Sequence, residues 1–278
     1  GATGENVQAS MSPAKFNSNI IDTNIQGLTA TDYSASISLL NNKDDYNFNV
    51  VVAPGLIGDS SFTNSLVQVN SLVALAENRQ DCITVVDPSA YGKTVSQTVA
   101  SATAFDSSYA AAYWPWLQAI DPTSGMTTWS PASAFIPGVY SFTDASSEPW
   151  FAPAGLVRGA LGNVIRAEQR LTSGQRDTLY SGNVNPIATF PASGVVVFGQ
   201  KTLQRRASAL DRVNVRRLLI AVKSFIVQVS DNLVFEQNTI STRNNFLTQV
   251  NPYLESVQQR QGLYAFKVVM NETNNTPD

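Results

Sequence analysis

Compact runs of β-branched residues alternate with helix-periodic stretches between residues 32 and 146, and that alternation restricts the chain to few architectures. Residues 32–40 carry apolar side chains at helical spacing behind an acidic cap, Asp32. Asn49-Val50-Val51-Val52-Ala53-Pro54-Gly55 reads as a buried strand closed by a Pro-Gly turn. Leu66, Val69, Val73 and Ala76 predict a helix over 61–79. Residues 82–86 form a second buried run, ending in an Asp87-Pro88 turn. Residues 94–105, rich in Ser, Thr and Ala, read as helical, and 111–116 as an aromatic strand. A further helix is predicted to start at Ser130-Pro131, with Ser as cap and Pro in the first turn. Strand, helix, strand, helix, strand, helix is the pattern of an α/β sheet with crossover helices.

The later part changes character. Residues 186–199 hold two short strand candidates, Val195 to Phe198 being the better one. Leu210, Val213, Leu218, Val222, Phe225, Ile226 and Val229 line one face of a long helix from about 211. A second long helix covers about 239–260, and Pro252 must kink or interrupt it. Leu263 to Val269 alternates and predicts a strand. The expected organisation is a leading segment over 1–30, an α/β domain over 31–200 with a central mixed sheet flanked by helices, and a C-terminal α+β portion over 201–278.

Chemistry is narrowed by what is missing. The 278 residues include no histidine, so no imidazole base and no His-ligated metal can exist. A single cysteine, Cys82, excludes an intramolecular disulfide and a thiolate cage; within an apolar strand it reads as a buried structural thiol. Gly55-Leu56-Ile57-Gly58 lacks the Lys-Ser/Thr of a phosphate loop. Ser12-Pro13-Ala14-Lys15 matches S-x-x-K without its partner motifs, and Asp44-Asp45 reads as a solvated turn. The longest apolar run, Leu218 to Val222, is far short of the ~20 residues of a membrane span. The opening residues show neither a basic n-region nor an apolar h-region, so no secretory signal is expected. No cofactor, metal or catalytic residue is expected.

The net charge of −3 conceals a division. Up to Pro149 there are 4 basic and 13 acidic residues; from Trp150 onward, 14 basic and 8 acidic. Such halves suit different partners, or each other in neighbouring copies. The densest basic feature is Arg205, Arg206, Arg212, Arg216 and Arg217. It is compatible with nucleic-acid binding, with a protein interface, or with a solvated helix face that has partners such as Asp211. An acidic chain and the lack of interleaved aromatics count against the first.

Several segments, in order, carry a resemblance. They are Asn49 to Gly55; Tyr109 to Trp116 followed by Asp121-Pro122; Pro131 to Ala134 with Gly138-Val139-Tyr140 and Asp144; and Trp150-Phe151-Ala152-Pro153-Ala154-Gly155. Asn185-Pro186, Gly199 to Leu203, Asp211 to Leu218, Phe235-Glu236-Gln237-Asn238 and Asn271-Glu272-Thr273 complete the series. Over about 31–275 the chain resembles the tail sheath proteins of contractile bacteriophages and related injection machines.

The resemblance implies a structural subunit that polymerises around a tail tube and contracts to drive it through the host envelope, without hydrolysing nucleotide. Its implied partners are neighbouring subunits, the tube protein, and baseplate and terminator proteins, with no nucleic acid and no membrane insertion. The implied location is the virion tail, after synthesis in the host cytoplasm. The resemblance also implies terminal arms absent from these 278 residues, so a fragment that is monomeric or weakly associated is expected. The arginine cluster is then a candidate partner interface, with a bracing role for one of Arg212, Arg216 and Arg217 also open. The alternatives from other classes are an enzyme or binding protein on a flavodoxin-like body, with its site at the carboxyl ends of the strands, and a virion nucleic-acid-binding module.

Overall fold

The computed structural model describes residues 20–22, 24–25, 28–122 and 125–275. The leading segment expected over 1–30 and the Ser12 to Lys15 string fall largely outside the described residues. The chain divides into two compact units, 1–216 and 217–278.

The first unit opens with a two-residue hairpin, β1 (Ile20–Ile21) and β2 (Asn24–Ile25), and helix α1 (Ala30–Leu39). Asp32 lies in the first turn of α1, where its carboxylate accepts the Thr29 N–H at 2.7 Å. There follow β3 (Val50–Ile57), α2 (Thr63–Arg79), β4 (Ile83–Asp87), α3 (Val95–Ala102) and β5 (Ala110–Trp114). Asp22, between the first two strands, accepts the Asn64 N–H at 2.7 Å and the Ser65 N–H at 3.1 Å, satisfying donors that the start of α2 leaves open. Then come β6 (Leu117–Ile120), β7 (Thr127–Ser130), α4 (Ile136–Ser146), α5 (Gly155–Arg158), β8 (Val164–Ala167), α6 (Ser173–Ser181), β9 (Val184–Phe190) and β10 (Gly194–Val197).

Five strands form the main sheet in the order β10-β9-β5-β4-β3, parallel except for the β9–β10 hairpin. Every crossover from β3 to β9 steps the same way, so the right-handed rule lays α2, α3 and α6 on one face. The core agrees: Leu72 and Ala76 of α2, Ala102 of α3 and Leu179 of α6 share one buried cluster with Val86, Ala112 and Val184. Cys82 lies in the same cluster, fully buried, and burial pushes its thiol up to about 12. The other face is covered by a 3-10 turn (Ala132–Ala134) and α4, where the buried Tyr113 and Tyr140 hydroxyls meet at 2.9 Å. There the Asp87 carboxylate accepts the Ser133 N–H at 3.0 Å and the Ser133 hydroxyl at 2.5 Å. A second, antiparallel sheet, β7-β6-β8, follows β5. It brings Trp116 against the carboxyl end of β4, where its indole N–H donates to Ser89 O at 3.0 Å.

Four local readings change. Pro54-Gly55 does not end β3: the strand runs on to Ile57 through a register shift, with Gly55 at φ 100°. A bulge takes the extra residues that a turn would have taken, and Gly reaches the positive φ without Cβ strain. Ser130 closes β7 instead of capping a helix, and Pro137 is the proline in the first turn of α4. Pro252 does not interrupt α8 (Ile240–Gln259); it is exposed, as is Thr248 one turn earlier, so water can serve the carbonyl left without a donor. Residues 263–269 form no strand. Burial alternates only over 266–269, where Phe266 and Val268 are half-buried and Lys267 and Val269 exposed; Tyr264 and Ala265 are both exposed. Period two reports an extended chain with one buried side, but a strand also needs a hydrogen-bonded neighbour.

The second unit is a helical hairpin. Its first helix, α7 (Val213–Asp231), begins within the first unit, and α8 follows. Val229, Val250 and Leu254 are buried between them, with Phe225 stacked on Tyr253 at 3.8 Å. Leu263, Phe266 and Val268 pack on the same cluster. Among the described residues, no helix is long and apolar enough to cross a membrane.

Asn185 holds the strand-to-loop return after β10 in place. Wholly buried, it donates to Ala112 O at 3.0 Å and Lys201 O at 2.7 Å, and accepts the Lys201 N–H at 2.6 Å. Gly199 makes room for this anchor: a Cβ there would stand 2.9 Å from Pro186 and 3.0 Å from the Asn185 oxygen. Asn185→Ala should lower stability by about 2–3 kcal/mol in urea unfolding, because buried backbone groups of Lys201 lose their partners. Asn185→Asp should be worse than Asn185→Ala at pH 7, since it turns two donations into oxygen–oxygen contacts. Equal midpoints for the two variants would refute the assigned hydrogen-bond directions.

Candidate functional site

The basic segment is the most unusual chemical feature of the chain, and the fold places its charge narrowly. The whole excess of six positive charges after Pro149 lies in 150–216; residues 217–278 carry five basic and five acidic residues. The cluster Arg205, Arg206, Arg212, Arg216 and Arg217 is not one patch. Arg205 and Arg206 are exposed, in the loop that returns from β10 along the amino ends of the strands. Asp106 accepts the Arg205 N–H at 2.9 Å, and Leu203 N–H reaches Ala110 O at 2.8 Å. Arg212 pairs with Asp211 at 3.2 Å, as the solvated-face reading expects, but also donates to the Tyr180 hydroxyl.

Arg216 takes the inward, bracing position. It is 7 % exposed, lies 3.9 Å over the Tyr109 ring and donates to the Ser108 hydroxyl. Burial lowers the pKa of its guanidinium, against the Tyr109 contribution. Arg217, the first residue of the second unit, is also buried.

Aromatic platforms absent from the neighbouring sequence are supplied by distant residues. Lys201 and Arg212 both lie over Tyr180, at 4.7 and 5.6 Å, and Arg176 lies over Phe190 and Phe198, at 5.4 and 5.6 Å. Desolvation lowers the Lys201 pKa, with Arg212 adding to the effect. These pairings span tens of residues in sequence, so only the register of β9 and α6 reveals them. Two concavities result. One of about 420 Å³ is lined by Gly155, Arg176, Tyr180 and Phe198, among others. Another of about 480 Å³ is lined by Asn183, Lys201, Gln204 and Arg205, among others.

The residues that carried the resemblance act as fasteners. Gly155 sits at φ 88°, which the Trp150 to Gly155 turn requires. Trp150 is buried, and its carbonyl accepts Asn214 Nδ2 at 3.2 Å. Thr202 Oγ1 donates to Leu210 O at 2.9 Å. The carboxyl ends of the parallel strands, where an α/β enzyme would bind its ligand, show a different use. Consecutive strands follow one direction from β3 to β9, so these strands contain no topological switch point. The space there is taken by Trp116, Tyr91 and Trp129, with Tyr91 at 6.0 and 5.4 Å from the two indoles.

Comparison with known proteins matches residues 26–203 to the phage tail sheath protein central domain. The tail sheath protein of Enterobacteria phage T4 is 31 % identical over 267 residues, and that of Vibrio phage KVP40 is 30 % identical over 275. These alignments take in 90 % and 88 % of this chain but 40 % of each relative, so the chain spans about two fifths of the relatives' length. Among solved structures, the anti-feeding prophage baseplate superposes with a TM-score of 0.69 at 25 % identity, covering 86 % of this chain and 61 % of that one. The contracted PVC sheath complex of an extracellular contractile injection system gives 0.68 at 25 % identity, covering 84 % and 62 %. The one-way α/β sheet, the fasteners in their order and a matched central domain that fills most of the chain lead to one assignment: the chain belongs to the phage tail sheath protein family.

Proposed function

We propose that the chain is a structural subunit of a contractile phage tail sheath, which polymerises around the tail tube and contracts to drive the tube through the host envelope. The observation that carries this reading is the central-domain match over residues 26–203, together with likeness to a sheath complex in its contracted state. Neighbouring subunits are the first partners; the tube, baseplate and terminator proteins complete the set. The virion tail is its place of action and the host cytoplasm its place of synthesis.

The subunit works without catalysis. A sequence with no histidine supports this, as does a sheet whose carboxyl ends are packed with aromatic side chains. The stored free energy is a difference between two packings of one folded body. Electron microscopy of a protein of the relatives' full length that carries this chain tests the reading: wide tubular polymers that shorten on triggering are the expected result, and a full-length protein that stays monomeric under assembly conditions would overturn it. Thermal-shift screening against nucleotides, flavins and divalent metals addresses the non-catalytic part, where a large stabilisation by any of them would count against it.

A further inference from the structure

The main sheet carries unlike charge at its two sides, at the same end of the strands. On the β3 side, the turn 41–46 is stapled to the end of α2: Arg79 donates to Leu40 O at 2.6 Å and Tyr46 O at 2.7 Å. Lys43 sets its ammonium on Arg79 O at 2.7 Å, and Asp44 and Asp45 are exposed beside it, so that carboxylates outnumber the one cation on the turn. On the β9 side lies a concavity of about 480 Å³ lined by Lys201 and Arg205 together with Asp211, with Arg206 next to it in the loop. Both features lie at the amino ends of the strands: Ile83 N–H reaches Asn49 O at 3.0 Å next to the turn, and Asn183 Nδ2 reaches Gln204 O at 3.1 Å beside the concavity.

Among the described residues, none of Asp44, Asp45, Arg205 and Arg206 is in an ion pair. The basic loop runs between the amino ends of β9 and β5, two to three strand spacings or about 10–14 Å from β3, and no pair forms between the two features within one copy. Copies set side by side in one orientation bring the acidic turn of each against the basic concavity of the next.

We propose that the Asp44–Asp45 turn of one copy docks at the concavity beside Arg205 and Arg206 of a second copy, in a head-to-tail contact. It takes its partner, a second copy of this chain, from the sheath reading above. Charge complementarity selects that occupant: two unpaired carboxylates on a fixed turn meet two unpaired guanidinium groups beside a polar hollow. Head-to-tail contacts propagate into rings or helical arrays, unlike two-fold contacts, which close after two copies. Exposed charges of this kind set recognition and salt dependence more than bulk affinity.

Sedimentation velocity of the 278-residue chain at about 20 and about 500 mM ionic strength tests the contact, since screening shortens from about 20 to about 4 Å over that range. The parent should associate at low salt and dissociate at high salt. D44K/D45K and R205E/R206E should each weaken self-association at low salt by roughly tenfold or more. Their equimolar mixture should regain it, because reversed faces then meet reversed faces. D44N/D45N and R205Q/R206Q, which keep the backbone contacts of both loops, give the intermediate result if a reversal disturbs folding. A parent that stays monomeric at low salt overturns the proposal, as do variants that associate like the parent or a mixture no better than either variant alone. The two readings fail separately. In a protein of the relatives' full length that carries this chain, R205E/R206E tubes that match the parent's would remove this contact and leave the sheath function standing, whereas a full-length parent unable to form tubes would remove the function.

Discussion

Arg79→Met should lower the unfolding free energy by about 3–5 kcal/mol, read as a shift of the urea midpoint with an unchanged slope. The side chain is 1 % exposed and closes α2 against everything around it. Nε and Nη2 form a fork with Asp81 at 3.0 and 2.9 Å, and the remaining donors hold the backbone of residues 40–46. The guanidinium also lies 4.2 Å over the Phe48 ring. Removing it strands three groups at once: the Asp81 carboxylate and the carbonyls of Leu40 and Tyr46. Arg79→Lys should recover little, because an ammonium cannot serve the fork and the two carbonyls together. A loss under 1 kcal/mol for Arg79→Met would mean that water replaces the guanidinium, and that the turn keeps its shape without it.

Asp87 gives the second large effect, with the opposite sign. Its carboxyl is fully enclosed, and burial pushes its pKa up to about 7 against the two Ser133 hydrogen bonds that favour the anion. Among the described residues no cation pairs with it. In the unfolded chain the group titrates near its ordinary value of 3.8. Between those values the folded protein binds the proton and the unfolded chain does not, so this group's contribution to stability falls as pH rises from about 4 to 7 and stays low above that. At about 1.4 kcal/mol per unit, the loss is of order 4 kcal/mol by pH 8. Asp87→Asn keeps the shape and can still accept the Ser133 N–H while donating to the Ser133 hydroxyl. It should therefore raise stability at pH 8 by a few kcal/mol and flatten the profile between pH 4 and 8. Thermal melts across that range give the comparison; parallel profiles for parent and variant would show that the carboxylate is hydrated or paired when it ionises.

The two predictions also mark what local sequence could and could not disclose. The alternation of β3, α2, β4, α3 and β5 was legible because each element repeats its own period for long enough, and Cys82 was placed correctly because an apolar run of β-branched residues has few other uses. Arg79 was readable only as one basic residue at a helix end. Asp81 stands two positions on, but the other partners are carbonyl groups, which leave no mark in residue identity, and they lie more than 30 positions away. The β7-β6-β8 sheet was missed for a related reason. Its strands have four residues each, too few to show a period, and Thr127 to Ser130 is stabilised by pairing with β6, not by its own composition.

The arginine cluster divided along the same line. Asp211 beside Arg212 was visible as a neighbour, whereas Tyr109 beneath Arg216 stands more than 100 positions earlier. The resemblance motifs marked residues that hold the body together: Asn185 ties a loop to a strand, Thr202 holds the turn at Leu210, and Gly155 takes the positive φ of its own turn. Such fasteners are distributed, so their order along the chain identifies the fold without pointing to a single functional spot.

The outer edge of β10 is sealed by the chain's own residues 159–161: Val197 N–H donates to Gly159 O at 2.8 Å, and Leu161 N–H to Val195 O at 3.0 Å. A Cβ at position 159 would stand 2.6 Å from Val197 O, so only the smallest residue lets the seal close. If the chain polymerises as proposed, its copies meet at very high local concentration, and the seal is a matter of fidelity. A bare strand edge would join any other bare edge, in any register, with nothing to correct the error. On this side of the sheet the seal leaves contacts to side chains, which the proposed function would release and remake as a lattice rearranges.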